Sequence, residues 1–372
     1  MTRHSSALKL HPRPRHSSGR AFASTTPSSP ESRGRRGSSI RAPGRVKVVA
    51  TATIMIASIL LATSAADATP PGENGRIAFR QFFNERRTWG AIFTSEADGT
   101  DITQVTHPRR GVLTDTPDWS PNGRWLTFRR DIRGDHGSHI FKIRPDGTDR
   151  VDLTKLTEHR GPDWAEDRGA AWSPDGKRIA FVRGFARSRG GPNVFVMWID
   201  GTHLHQVTRP VGRYEDYGPQ WSPDGTHLAF KRLTESECGC RTADHAALFT
   251  VRVDGPHLRR LTPWKLDGGD EPDYSPNGRW ILFISYQCLC RSNNLWVVHP
   301  NGSALHRITS DPGHRFLWLS SSFSPDGTMI VTARRPTDGL ADVYVMHADG
   351  TGLTNITASP QYDSNPDWGP RA

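Results

Sequence analysis

The sequence has 372 residues, 35% of them hydrophobic, with 35 Gly, 28 Pro and a net charge of +10. The charge is local: residues 1–68 carry eleven basic side chains against Glu31 and Asp67, whereas the rest holds 37 basic and 36 acidic groups. The body of the chain therefore has no whole-surface field for nucleic acid.

The first 45 residues are rich in Ser, Arg and Pro and poor in large apolar groups, so they are expected to be disordered. Arg45-Val46-Lys47 precedes an apolar run from Val48 to about Leu61, and Ala66-Asp67-Ala68 follows. That order predicts an export signal cleaved after Ala68, with an uncleaved anchor over 48–66 as the alternative. Either way the remainder is placed outside the cytoplasm, in the periplasm or secreted. The expected division is a leader over 1–68 and one repeat domain over 69–372.

That domain repeats a frame of aliphatic, aromatic, five residues, Gly, five residues, aliphatic, Thr. Its copies start at Ile92, Ile140, Val194, Leu248, Leu295 and Val343, with turn glycines at Gly99, Gly147, Gly201, Gly255, Gly302 and Gly350. Nothing is inserted or lost within the frame, and the glycines lie 48, 54, 54, 47 and 48 positions apart. Such a period signals a repeat architecture. Between copies runs a second signature, from Trp119-Ser-Pro-Asn-Gly123 through Trp172-Ser-Pro-Asp-Gly176, Trp221-Ser-Pro-Asp-Gly225 and Tyr274-Ser-Pro-Asn-Gly278 to Phe323-Ser-Pro-Asp-Gly327. Pro presets the turn and Gly takes the positive φ that closes it. Short apolar runs such as Ile179 to Phe181 follow each turn, and no segment has a helix-length apolar period.

Each repeat thus predicts four short antiparallel strands, and six repeats predict an all-β, six-bladed β-propeller. Repeat one lacks an inner strand, while Asn365 to Gly369 supplies a spare one at the C-terminus. The C-terminal strand is therefore expected to join blade one and close the ring.

The Trp-Ser-Pro-Asp-Gly turn with its Ile-Ala-Phe strand resembles the TolB-like propeller repeat, which also builds the propellers of prolyl oligopeptidases and the tricorn protease. The resemblance covers about residues 72 to 371 and is specific for fold, not for function. Members of the TolB family carry an α/β domain ahead of the propeller; with a few residues between Ala68 and Asn74, that domain is expected to be absent. The Gly-x-Ser-x-Gly elbow of the oligopeptidases does not occur.

Loops at one mouth of the channel bring in Asp115, Asp167, Asp216, Asp270 and Asp363, each four or five residues before the inner-strand aromatic. Repeat six breaks the series with Leu317, Trp318 and Leu319. Converging carboxylates suit a cation or a basic peptide; Asp side chains at blade junctions also cap turns and backbone N–H groups. Arg129, Arg130, Arg133, Arg183, Arg187, Arg189, Lys231 and Arg232 follow the second strands, where they form a solvated face or reach the acids or an anion. Cys238, Cys240, Cys288 and Cys290 lie in matching loops of adjacent repeats, and an exported chain with four Cys is expected to pair them across blades four and five. A four-thiolate zinc site is the alternative. His203 and His205 sit on an outer strand, and the recurrent Asp-Gly pairs are hairpin turns rather than calcium loops.

The functional expectation is a monomeric, non-enzymatic propeller without metal or cofactor. It binds a protein or peptide of the cell envelope or exterior at the mouth, through the five Asp residues and Trp318, and the propeller is not membrane-inserted. The alternatives are a metal-assisted polysaccharide lyase or hydrolase using the same carboxylates, and a scaffold that binds through the sides of its blades.

Overall fold

The computed structural model describes residues 72–372 except 132–136, 156–164, 186–190, 211–213, 235–245, 256 and 288–291. The leader, the four cysteines, Arg133, Arg187 and Arg189 lie outside the described residues. No helix among the described residues is long and apolar enough to cross a membrane.

The fold is an all-β propeller with four-stranded antiparallel blades. Repeat one holds β1 (Asn74–Phe82), β2 (Gly90–Ser95) and β3 (Thr103–Gln104); repeat two holds β4 (Thr114–Trp119), β5 (Leu126–Asp131), β6 (Ser138–Ile143) and β7 (Val151–Asp152). Repeat three holds β8 (Ala165–Trp172), β9 (Arg178–Phe185), β10 (Asn193–Trp198) and β11 (His205–Gln206), and repeat four β12 (Tyr214–Trp221), β13 (His227–Thr234), β14 (Ala246–Arg252) and β15 (Arg259–Arg260). Repeat five holds β16 (Gly268–Tyr274), β17 (Ile281–Gln287), β18 (Ser292–Val298) and β19 (His306–Arg307). Repeat six holds β20 (Phe316–Phe323), β21 (Met329–Pro336), β22 (Asp342–His347) and β23 (Thr354–Asn355), and β24 (Tyr362–Pro370) ends the chain. Repeats two and three share one hydrogen-bonded sheet through a single parallel bridge, Ser138 to Glu166. β24 pairs antiparallel with β1, from Asn74 opposite Pro370 to Phe82 opposite Tyr362. The second strands run beyond the short apolar segments read from sequence, β5 for instance reaching Asp131, because the mouth-side residues remain in the ladder.

The rigidity of the frame has a local cause. In all six copies the closing Thr hydroxyl accepts the N–H of the residue fourteen positions earlier, as Thr106 does from Ile92 (2.9 Å), Thr208 from Val194 (3.0 Å) and Thr357 from Val343 (3.0 Å). An insertion anywhere in between would carry the acceptor away from a buried donor. The Ser-Pro turn is equally constrained: the Ser222 hydroxyl accepts His227 N–H at 2.9 Å and donates to Asp224, whose carboxylate accepts Thr226 N–H at 3.0 Å. The Asp-Gly hairpins behave as read from sequence, with Asp98 accepting Thr100 N–H at 2.9 Å.

The apolar cores sit between neighbouring repeats. Trp221, Leu228 and Phe230 of repeat four pack on Ala180, Val194 and Val196 of repeat three. Ile77, Phe79 and Trp368 pack on Val331, Val343 and Ile356 of repeat six. The frame glycines mark these seams: a Cβ on Gly350 would stand 2.3 Å from Ile308 O, and one on Gly99 2.2 Å from Ile356 O. Both have positive φ, 87° and 83°, so these close approaches demand Gly on two counts.

Replacing Thr208 by the isosteric Val leaves the buried Val194 N–H without its acceptor, at an expected cost of about 1–3 kcal/mol in urea unfolding. Thr208→Ser should retain most of that stability; equal losses for the two variants would contradict the hydroxyl's role.

Candidate functional site

The inner strands surround a cavity of about 380 Å³, lined among others by Asp118, Arg168, Tyr217, Lys231, Glu271 and Asp367. Five of these strands take a bulge on a residue with positive φ: Thr116 (47°), Gly169 (58°), Gly218 (57°), Glu271 (45°) and Asn365 (52°). A β-branched Thr and an acidic Glu in this region are held by their surroundings, a condition characteristic of binding sites. The bulges shift the strand register just below the mouth, so the predicted Asp residues and the residues beside the aromatics perform different tasks.

The predicted acids each have a partner within the fold. Asp167 binds the Nε and Nη2 of Arg183, both at 2.6 Å, and Asp216 binds the same atoms of Arg232 at 2.6 and 2.8 Å. Asp115 accepts from Arg80 of repeat one, whose other Nη reaches Ser364. Asp270 lies 3.0 Å from the Lys231 ammonium of repeat four, and Asp363 accepts the Ser359 hydroxyl at 2.8 Å. Asp115, Asp167, Asp216 and Asp363 are buried, whereas the Asp270 side chain is 24% exposed. The reading of the basic residues as a solvated face needs correction for Arg183 and Arg232, which are 1% and 6% exposed. Their guanidiniums close two-point charge-assisted pairs on a rung of the same sheet, Asp167 opposite Arg183 and Asp216 opposite Arg232. Arg129 pairs with Asp131 at 2.8 Å. Trp318 is buried in the core of repeats five and six, and its backbone N–H donates to Asn293 Oδ1 at 2.7 Å. His203 and His205 are exposed on the outer side.

One set of residues was not singled out from the sequence. The residue immediately before the inner-strand aromatic reaches into the next repeat. Asp118 accepts Trp172 N–H at 2.9 Å, Asp273 accepts Phe323 N–H at 2.7 Å, and Asp367 accepts Trp119 N–H at 2.7 Å. Ser322 does the same for Trp368 at 3.1 Å. Ala171 cannot, and there Trp221 N–H turns to its neighbour Gln220 Oε1 at 3.0 Å. The signal was present as one recurrent position, obscured by its mixture of Asp, Ala, Gln and Ser.

Among curated proteins, the chain is 23% identical over 305 residues to the Tol-Pal system protein TolB of Francisella tularensis subsp. mediasiatica (strain FSC147), covering 80% of this chain and 64% of that protein. Among solved structures, TolB from Acinetobacter baumannii superposes with a TM-score of 0.61 at 20% identity, covering 80% of this chain and 67% of that one. The chain carries the TolB-like propeller fold. Hydrazine synthase of Kuenenia stuttgartiensis shares that fold over 82% of this chain and 49% of its own, with a TM-score of 0.60 at 12% identity. The likeness therefore establishes architecture, not activity. No protein-family description matches the chain.

The cavity of this TolB-like propeller is electrostatically unusual. Burial pushes the Asp273 carboxyl up to about 8 and Asp367 to about 6. Burial and then the Asp367 charge hold Asp118 well above the ordinary carboxylate range. Glu271 rises to about 7 through burial, with Asp270 and Asp115 adding repulsion. A carboxyl that binds its proton more tightly when folded stabilises the fold at low pH and loses that contribution as pH rises through its folded pKa. For Asp273 the window runs from its ordinary value of 3.8 to about 8.

Asp273→Asn keeps an acceptor for Phe323 N–H but removes the proton. The wild type should lose stability between about pH 4 and about pH 8 more steeply than the variant, leaving Asp273→Asn ahead by about 1–3 kcal/mol at the alkaline end. Denaturant unfolding at several pH values checks this, and parallel pH profiles would contradict it.

Proposed function

We propose that the chain is an exported, six-bladed closed propeller that binds a protein or peptide of the cell envelope at its mouth and does so without catalysis. Closure through β24 is supported by the β1–β24 ladder, by the core shared between repeats one and six, and by the approach of Gly99 to Ile356. Export is supported by the apolar run and small-residue site ahead of the propeller. A partner in the envelope is supported by the naming of the curated relatives as Tol-Pal system proteins.

The observation that carries the binding reading is the prior neutralisation of the mouth. Asp167 and Asp216 spend their charge on Arg183 and Arg232, and Asp115 on Arg80. What remains is a firm, polar wall to the cavity, with Asp270 and Lys231 on neighbouring repeats and Trp318 packed behind it, and it suits recognition of a polypeptide by shape and hydrogen bonding. In this reading the buried acids set the position of the loops, and Asp270 and Lys231, whose side chains are 24% and 16% exposed at the cavity wall, meet the partner.

The test is capture from an envelope extract on immobilised full chain, quantified by mass spectrometry. A specific partner should be retained by wild type and fall about ten-fold or more with the pair Asp270→Ala and Lys231→Glu, since polar contacts at an interface core discriminate on that scale. Undiminished capture by a variant that melts like the wild type would remove the mouth as the binding face.

A further inference from the structure

Repeat six departs from the Asp–Arg rung that repeats three and four share. Seven residues after the turn glycines Gly176, Gly225 and Gly327 stand Arg183, Arg232 and Arg334. The first two face Asp167 and Asp216 across one rung of their sheets; Arg334 faces Trp318. With no carboxylate opposite, the Arg334 guanidinium packs on aromatic rings, 3.5 Å from the Phe316 centroid and 5.1 Å from that of Trp318. Arg315 lies 6.0 Å from the same Phe316 ring. Among the described residues neither Arg315 nor Arg334 forms an ion pair or a side-chain hydrogen bond. Asp311 is the acid whose field reaches Arg334, and it is engaged in accepting Phe316 N–H at 2.7 Å. Two more donors of this stack, Arg334 Nε and Trp318 Nε1, are buried without an acceptor.

Stacking holds a guanidinium in a fixed plane, takes one face out of water and leaves its edge free, the arrangement suited to two-point recognition of a carboxylate. Arg315 beside it adds like charge that an anion would relieve. We infer that Arg334, held by Phe316 and Trp318 and flanked by Arg315, is a carboxylate-binding subsite of the mouth, taking an Asp or Glu side chain or the C-terminal carboxylate of a bound polypeptide. The inference rests on the peptide-binding function proposed above. It assigns to an incoming chain the charge that Asp167 and Asp216 supply to Arg183 and Arg232 in repeats three and four.

The probe is a soluble library of random octapeptides in two forms, with a free C-terminal carboxylate or a C-terminal amide, captured by the full chain and sequenced. Wild type should enrich Asp- and Glu-containing peptides from both forms if side chains bind, or free-acid peptides alone if the terminus does. Arg334→Gln should retain peptides while lowering the affinity of the selected acidic ones about ten-fold or more, the scale of one lost charge-assisted pair. Trp318→Asp, which rebuilds the rung of repeats three and four, should give the same loss by occupying Arg334 from within. Because Trp318 is buried, Arg334→Gln with an unchanged melting curve is the deciding variant. Peptides captured without acidic enrichment, or with affinity indifferent to Arg334→Gln, would overturn the subsite and leave the binding function standing. Capture of no peptide by wild type would overturn the binding function and the subsite together.

Discussion

The inner strands run along the edges of their sheets, β8 meeting the neighbouring repeat only through the bridge of Ser138 to Glu166, and the backbone N–H groups of Trp119, Trp172, Phe323 and Trp368 point out of their own sheets. Unpaired edge groups buried in a protein are costly, and so they need an acceptor. Here the acceptor comes from the preceding repeat: Asp367 for Trp119, Asp118 for Trp172, Asp273 for Phe323 and Ser322 for Trp368. The aromatic whose N–H is held this way is also the one that opens the Ser-Pro turn and fills the seam. Channel wall, turn and core are therefore tied together by one short hydrogen bond at four of the seams. Where Ala171 supplies no acceptor, Gln220 does so from within the strand, and the Trp221 indole donates to Ala171 O at 3.2 Å, so the seam is still bridged.

That solution places carboxylates in a confined space and raises their affinity for protons, while two acids closer to the mouth are paired with guanidiniums instead. Asp167 and Asp216 are buried as deeply as Asp273 but bind guanidiniums at two points, which compensates the cost of burying the charge. The channel thus has two electrostatic levels: a proton-holding level at the seams, and an ion-paired level at the mouth that is broken in repeat six. Binding surfaces commonly combine such a firm frame with a few uncommitted groups.

Much of the architecture was legible in the sequence because its causes are local. The Thr of each frame and the Ser, Asp and Gly of each turn act within fourteen residues, so their spacing recurs unchanged. Asp115, Asp167, Asp216, Asp270 and Asp363 were visible as a series, but their partners were not. Which base meets Asp167 depends on the register of β8 against β9 after a bulge at Gly169, and Asp115 is met by Arg80 from another repeat. The role of Asp118, Asp273 and Asp367 depends on contacts between repeats, which no single repeat reveals. Arg334 could have been found by counting from the turn glycine; its missing partner becomes evident only when Trp318 is set opposite it.

The account depends on β1 and β24 being held together as firmly as any other inner pair, because the seam acceptors work in sequence around the channel. Native-state hydrogen exchange measures this directly. The amides of Ile77, Phe79 and Trp368 should open with the same free energy and the same denaturant dependence as those of Ile179 to Val182 in repeat three, as one cooperative unit. Exchange of the β1 and β24 amides through a separate, much smaller opening, with repeat three still protected, would contradict a ring closed by its last strand.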